Sequence, residues 1–252
     1  MLSPLGLRAL RALSHRSPIL RSCQPSLLST SRLPTPFPFR HSPISSRLTS
    51  RAFSTTPVRR SPDTLFPVLA TLNVLPFTAF WALHYLNSPL RHTLERYFLL
   101  TPSSSPLTLL TSGFFHTSPT HLFFNLFTLR AMLSILAFTS PVAAPVVLGT
   151  YIAGIVGGSL AMRRYGFSSG RDAALGASAG VSALLVAASC VAPLTPVNVM
   201  FIPIDIPLAV VAGVYFLIDA KFAGSTTSTV GHAAHLGGGA IGAVAWALLF
   251  RM

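Results

Sequence analysis

Three polar clusters interrupt an otherwise apolar chain, and their residue types suit acyl transfer. Ser178 lies between Gly176 and Gly180 in the stretch AALGASAGVSALL, at the head of an apolar run. His121 and Asn125 stand four residues apart in HLFFN, and His232 and His235 open a third apolar stretch. A serine hydroxyl becomes a nucleophile when a base takes its proton, and neutral imidazole is the usual base near neutral pH. Attack on a carbonyl then creates an oxyanion that fixed donors must hold. His121 and Asn125, at i and i+4, share one helical face and could donate together. The N–H of Ser178, at the positive end of its helix, offers a third donor. Gly176 and Gly180 leave room for backbone to approach a substrate. Gly238 and Gly242 follow His235 on its own helical face and let that helix pack close to the one bearing Ser178. A nucleophile, a base and oxyanion donors are thus available without an acidic third member.

The elements that must position these groups are membrane helices. The chain is 51% hydrophobic and only 9% charged, with a mean hydropathy of +0.62, which describes a mostly membrane-spanning protein. About six apolar segments follow Asp63, each near the roughly 20 residues that a spanning helix needs. They cover approximately 65–86, 119–139, 142–162, 174–193, 200–220 and 231–251. Pro141, Pro145, Pro193 and Pro196 punctuate the connections. The stretch from Asn87 to Pro119 is mixed in character and reads as partly interfacial. Pro203, Asp205 and Pro207 delay the fifth helix to about Ile206. If helices alternate in direction, the second, fourth and sixth all start on one face of the membrane. His121, Asn125, Ser178 and His235 then fall at one depth on one side. Arg130 lies deep in the second helix, where an unpaired charge is expensive, and its partner cannot be read from the sequence.

The net charge of +13 suggests nucleic acid until it is located. Arg8, Arg11, Arg16, Arg21, Arg32, Arg40, Arg47, Arg51, Arg59 and Arg60 all precede the first acidic residue, Asp63. The basicity belongs to a leader, so no nucleic-acid partner is expected. Residues 1–60 contain no Asp, Glu or Lys and are rich in Arg, Ser, Leu and Pro, the composition of a disordered mitochondrial transit peptide. Leu2, Leu5, Leu7, Leu10 and Leu13, with arginines between, can form a basic amphipathic helix drawn to anionic membrane. Arg51, Phe53 and Thr56, with the octapeptide FSTTPVRR, resemble a two-step processing signal that would start the mature chain near Ser61. Loops on the face of the polar cluster carry an excess of Arg and Lys, which points that face to the matrix. A matrix-processed leader does not obviously predict this topology, so orientation stays open.

HLFFN (His121 to Asn125), GASAG (Gly176 to Gly180) and AHLGGGAIG (Ala234 to Gly242) occur in this order on separate helices. FFHTSPTH (Phe114 to His121) and ATLNVLPF (Ala70 to Phe77) add a first loop and a first helix. In these stretches residues 65–252 resemble the rhomboid family of intramembrane serine proteases. The resemblance implies an all-α membrane protein, a six-transmembrane-helix bundle over 61–252 behind the leader. It implies an endopeptidase that cuts transmembrane segments of other proteins within the bilayer, through a dyad of Ser178 and His235. His121 and Asn125 would stabilise the oxyanion, and no cofactor is expected. With the leader, the resemblance is to the members of the mitochondrial inner membrane. Two positions depart from the family: Ala179 stands where glycine usually follows the nucleophile, and Ser182 where many members carry an aromatic stacked on the histidine.

Other readings of the same residues are weaker. GASAG alone matches the elbow of soluble α/β-hydrolases, and Asp205 or Asp219 followed by His235 fits their chain order. The flanking sequence, however, is continuous apolar helix without alternating strands. Small residues around a serine are also common packing devices in membranes. His232 reads as structural or solvated and His116 as a loop residue with a hydrogen-bonding role. A metal site is not expected, because the histidines lack carboxylates or thiols nearby in sequence. A catalytically inactive relative that binds partner transmembrane helices is the alternative function, to which Ala179 and Ser182 leave room. Oligomeric state is not legible.

Overall fold

A computed structural model describes residues 61–167, 173–199, 203–225 and 228–251. The expected leader and its processing site up to Arg60 lie outside the described residues, as do Arg171 and Asp172. Among the described residues eight α-helices follow one another: α1 (Phe66–Tyr85), α2 (Leu90–Phe98), α3 (Thr108–Thr111), α4 (Pro119–Thr139), α5 (Ala144–Ala161), α6 (Ser178–Val191), α7 (Leu208–Phe222) and α8 (His232–Ala245). Between α6 and α7 sits a short antiparallel hairpin, β1 (Pro196–Asn198) and β2 (Asp205–Pro207), with Val197 opposite Ile206. The helical expectation therefore holds, with this one hairpin added. β2 runs extended into Pro207, whose φ of −55° and ψ of 134° set the start of α7 at Leu208.

Among the described residues, four helical stretches are long and apolar enough to cross a bilayer: Pro62–Tyr85, Pro119–Thr139, Ala144–Gly166 and His232–Phe250. The other two expected segments are shorter as helices, with 14 residues in α6 and 15 in α7. At about 1.5 Å per residue α6 measures about 21 Å, less than the roughly 30 Å of a hydrocarbon core. One of its ends must therefore lie below the lipid surface. Non-helical backbone is tolerated there only when protein satisfies its polar groups. The segment leading into Ser178 meets that condition: Leu100 and Ala174 exchange backbone hydrogen bonds of 3.0 and 2.8 Å, and Gly176 N–H donates to Ser112 O at 2.8 Å.

α6 is the hub, with ten of its 14 residues buried. It packs most densely with α5 and α8, and glycines make that possible. A methyl group at Gly242 would run into the carbonyl of Ala183, and one at Gly154 into the Ala183 side chain. Leu129, Leu133, Leu136, Val147, Ile155 and Leu184 fill the space between α4, α5 and α6. α1 is peripheral, burying only Leu69 and Asn73. α2 buries nothing and carries an Arg91–Glu95 pair at 3.6 Å, as an interfacial helix should.

The partner of Arg130 is Asp63, at 3.3 Å, with Ser134 Oγ donating to the same carboxylate at 3.1 Å. The guanidinium also lies 5.4 Å from the Phe66 ring centroid. An intramembrane charge is thus neutralised by the start of a helix 67 residues earlier, a pairing that no local sequence signal carries.

Candidate active site

Ser178 owes its place to the turn before it. Gly176 has φ +111°, a conformation that side-chain-bearing residues rarely adopt, and a methyl there would collide with the His121 ring. Ala177 then caps α6, and Ser178 becomes its first residue. The N–H groups of this first turn have no intrahelical acceptor. Ser118 caps α4, its side chain accepting from His121 N at 3.4 Å, with Pro119 in the first turn. Gly231 opens α8, which begins at His232 and carries His235 one turn in.

The structure brings the starts of α4, α6 and α8 together. Ser178 Oγ lies 2.9 Å from His235 Nε2. His235 Nδ1 lies 3.1 Å from each carboxylate oxygen of Asp219 on α7. Asp219 is only 2% exposed and also meets His232 Nδ1 at 2.6 Å, while His232 Nε2 lies 2.8 Å from Ser228 Oγ. A carboxylate accepts, so both histidines carry their protons on Nδ1, and each Nε2 is left to accept from a serine hydroxyl. The expectation of a site without an acidic third member is therefore corrected. In the sequence Asp219 fits the chain order of a soluble fold and counts among the loop acids on the face of the polar cluster. The usable signal was simpler, namely an acid within an apolar helix, which must have a partner. His232 is likewise buried rather than solvated, being 7% exposed.

A third neighbour of the base was not visible in the sequence. The Tyr215 ring stacks on His235 with centroids 5.4 Å apart and planes at 27°. Its hydroxyl lies 3.3 Å from Ser182 Oγ, so the position that departs from the family pattern is occupied by a hydrogen bond to α7.

The donors are arranged around His116. This ring is fully buried, and its Nε2 receives the Ala177 N–H at 3.3 Å. An N–H can only donate, so Nε2 accepts and the ring proton sits on Nδ1. Burial lowers the His116 pKa to about 3, and the neighbouring His121 adds to the effect. Asn125 Nδ2 points at His116 Nε2, 3.2 Å away, and donates to His121 O at 3.0 Å. His116 Nε2 has one lone pair, which the Ala177 N–H and the Asn125 amide share, so one amide hydrogen of Asn125 is only partly engaged. His121 stands edge-on to His116 with centroids 5.0 Å apart.

The glycines divide into two groups. Gly176 borders the cavity, Gly238 faces the backbone of Ala179, and Gly242 faces that of Ala183, which brings α8 against α6. Gly180 does not face a substrate path: a methyl there would strike the Tyr151 ring of α5, so its role is packing. Ala179 creates no crowding, because its methyl occupies the space left by Gly158.

A cavity of about 870 Å³ opens beside Ser178. His121, Asn125, Ser178, Tyr215 and His235 border it at one end, and it continues between α4, α6 and α7 to Val197 and Val199 beyond the far end of α6. Its walls are mainly apolar, as a path for a hydrophobic segment requires. Asp219, His232 and His235 hold their ligand-type atoms within 4.8 Å of one another, so a carboxylate does support the histidines in space. These atoms already satisfy one another as a hydrogen-bonded chain.

The sequence model of the Rhomboid domain family matches residues 103–252, which contain every residue of this site. The chain belongs to the rhomboid family, whose members include intramembrane serine proteases, and it is a multi-pass membrane protein. No curated protein matches it at a significant level.

Proposed function

We propose that the protein is an intramembrane serine endopeptidase that cleaves transmembrane segments of other membrane proteins. The observation that carries this reading is the contact of 2.9 Å between Ser178 Oγ and His235 Nε2, beside a mainly apolar cavity of about 870 Å³. Asp219 holds the proton of His235 on Nδ1, which leaves Nε2 free to accept from Ser178. Oγ attacks the scissile carbonyl carbon as its proton passes to His235. The C–N bond then breaks, and the imidazolium protonates the leaving amine. Water, activated by the same imidazole, hydrolyses the acyl-enzyme.

The N–H of Ser178 and the His121 ring are the donors best placed to take up the oxyanion. Asn125 borders the same cavity, and its amide hydrogen toward His116, which shares one lone pair with the Ala177 N–H, is the one that turns to the oxyanion. In the resting state it braces the two histidines. The six-helix count follows if the short α6 and α7 are completed as spans by the loops and the hairpin at their ends. The leader supports a place in the mitochondrial inner membrane, with residues 61–252 as the mature transmembrane domain. Import of the full chain into isolated mitochondria, with removal of about 60 residues, tests that placement.

The test of the activity is cleavage of a single-span substrate in proteoliposomes by wild type, Ser178→Ala and His235→Ala. Cleavage by wild type alone is expected. Equal cleavage by all three would overturn the reading.

A further inference from the structure

The base is oriented by a helix that carries neither the nucleophile nor the base. Tyr215 and Asp219 stand one turn apart on α7 and reach His235 from two directions. The carboxylate holds Nδ1 at 3.1 Å, and the phenol ring covers the imidazole face at 5.4 Å between centroids. A hydrogen bond at Nδ1 fixes one atom of a ring but leaves the ring free to tilt about it. An aromatic face stacked on the imidazole, with the planes at 27°, restricts that freedom. The hydroxyl of Tyr215 lies 3.3 Å from Ser182 Oγ, a long contact, so the ring face rather than the hydroxyl holds the imidazole.

We infer that Tyr215 is a positioning residue for His235, and that α7 must stay docked through Tyr215 and Asp219 for the base to be competent. This inference rests on the proposed protease activity and deepens it. Elsewhere α7 is weakly attached. It buries only Leu208, Ala212 and Asp219, while Val210, Val214, Leu217 and Ile218 are exposed, and the cavity separates it from α4. An occupant that pushed α7 outward would withdraw the carboxylate and the ring from His235 together. A productive substrate therefore enters without displacing the Tyr215 turn, and one that wedges α7 away disarms the site. Specificity follows from this, since bulky residues that reach Tyr215 select against themselves.

The experiment measures kcat, KM and the pH–rate profile on a single-span substrate for wild type, Tyr215→Leu, Tyr215→Phe and Phe216→Leu. Phe216 is the neighbouring aromatic on α7, packed on Gly239, and it controls for simple loosening of the helix. Tyr215→Leu is expected to lower kcat by roughly three- to tenfold, with little change in KM and a displaced acid limb. Tyr215→Phe keeps the ring and should retain kcat within about twofold, and Phe216→Leu should leave the pH profile in place. An unchanged kcat and profile in Tyr215→Leu would overturn the inference, as would an equal fall in Tyr215→Phe or an equal displacement in Phe216→Leu. Absence of any Ser178-dependent cleavage in wild type would instead remove the protease reading, and the inference with it.

Discussion

Two sides of α6 are built on opposite plans. Toward α5 and α8 it is packed backbone to backbone: Gly154, Gly158, Gly238 and Gly242 leave no room for a methyl group. Toward α4 and α7 it faces a cavity of about 870 Å³. The close-packed side holds Ser178 and His235, the two groups whose separation the chemistry cannot let vary. The open side holds what must adjust, namely the space for a substrate and, on α7, the residues that orient the base. A hydrolytic site inside a membrane needs both, since rigid placement serves the transition state and an open flank admits a long apolar chain.

The largest effect expected from breaking this division is at its centre. Ser178→Ala or His235→Ala should reduce cleavage by roughly four orders of magnitude or more, and the double variant should lose little further, because the two act as a unit. Rate measurements on single and double variants check this. Asp219→Asn keeps the shape but no longer favours the proton on Nδ1. A fall in kcat of roughly 10²- to 10⁴-fold with KM nearly constant is expected, and a parallel rise in KM would show that Asp219 shapes the cavity instead.

A matched pair of substitutions sharpens the contrast between the two sides. Gly242→Leu forces α8 away from Ala183 and should destabilise the fold by about 1–3 kcal/mol or more. Val211→Leu adds bulk to the wall of the cavity and should change stability by less than about 0.5 kcal/mol. Thermal unfolding in detergent compares them, and equal losses would mean that both sides are packed alike.

The smallest expected effect is on pH dependence. His116 is neutral in the folded protein down to a pKa of about 3, whereas an unfolded histidine titrates near about 6.5. Between these values the unfolded chain binds more protons, so stability is fully present above the unfolded value and is lost as pH falls below it. His116→Gln should flatten the change in unfolding midpoint between pH 7 and pH 5.

Much of this site is legible in the amino-acid sequence. Serine, histidine and a His–Asn pair near the starts of three apolar helices must share one depth if the helices alternate in direction. The small residues that follow His235 announce close packing. What escaped was everything contributed by α7. Tyr215 and Asp219 are ordinary residues at i and i+4, and nothing in their spacing names His235 as their target. Asp63 and Arg130 escaped for the same reason, being far apart in sequence and paired only by the fold. The length of α6 was overestimated because hydropathy sees apolar loop and helix alike, and the turn at Gly176 delays its start to Ser178. The start of α7 was read within two residues, at about Ile206 against Leu208, because the prolines before it are visible in the sequence.

The most direct measurement is the site and pH dependence of modification by a serine-reactive fluorophosphonate, mapped by mass spectrometry on the membrane-reconstituted protein. A single adduct on Ser178 is expected in wild type and none in His235→Ala. An adduct that forms equally well without His235, or no adduct on Ser178 at all, would contradict it.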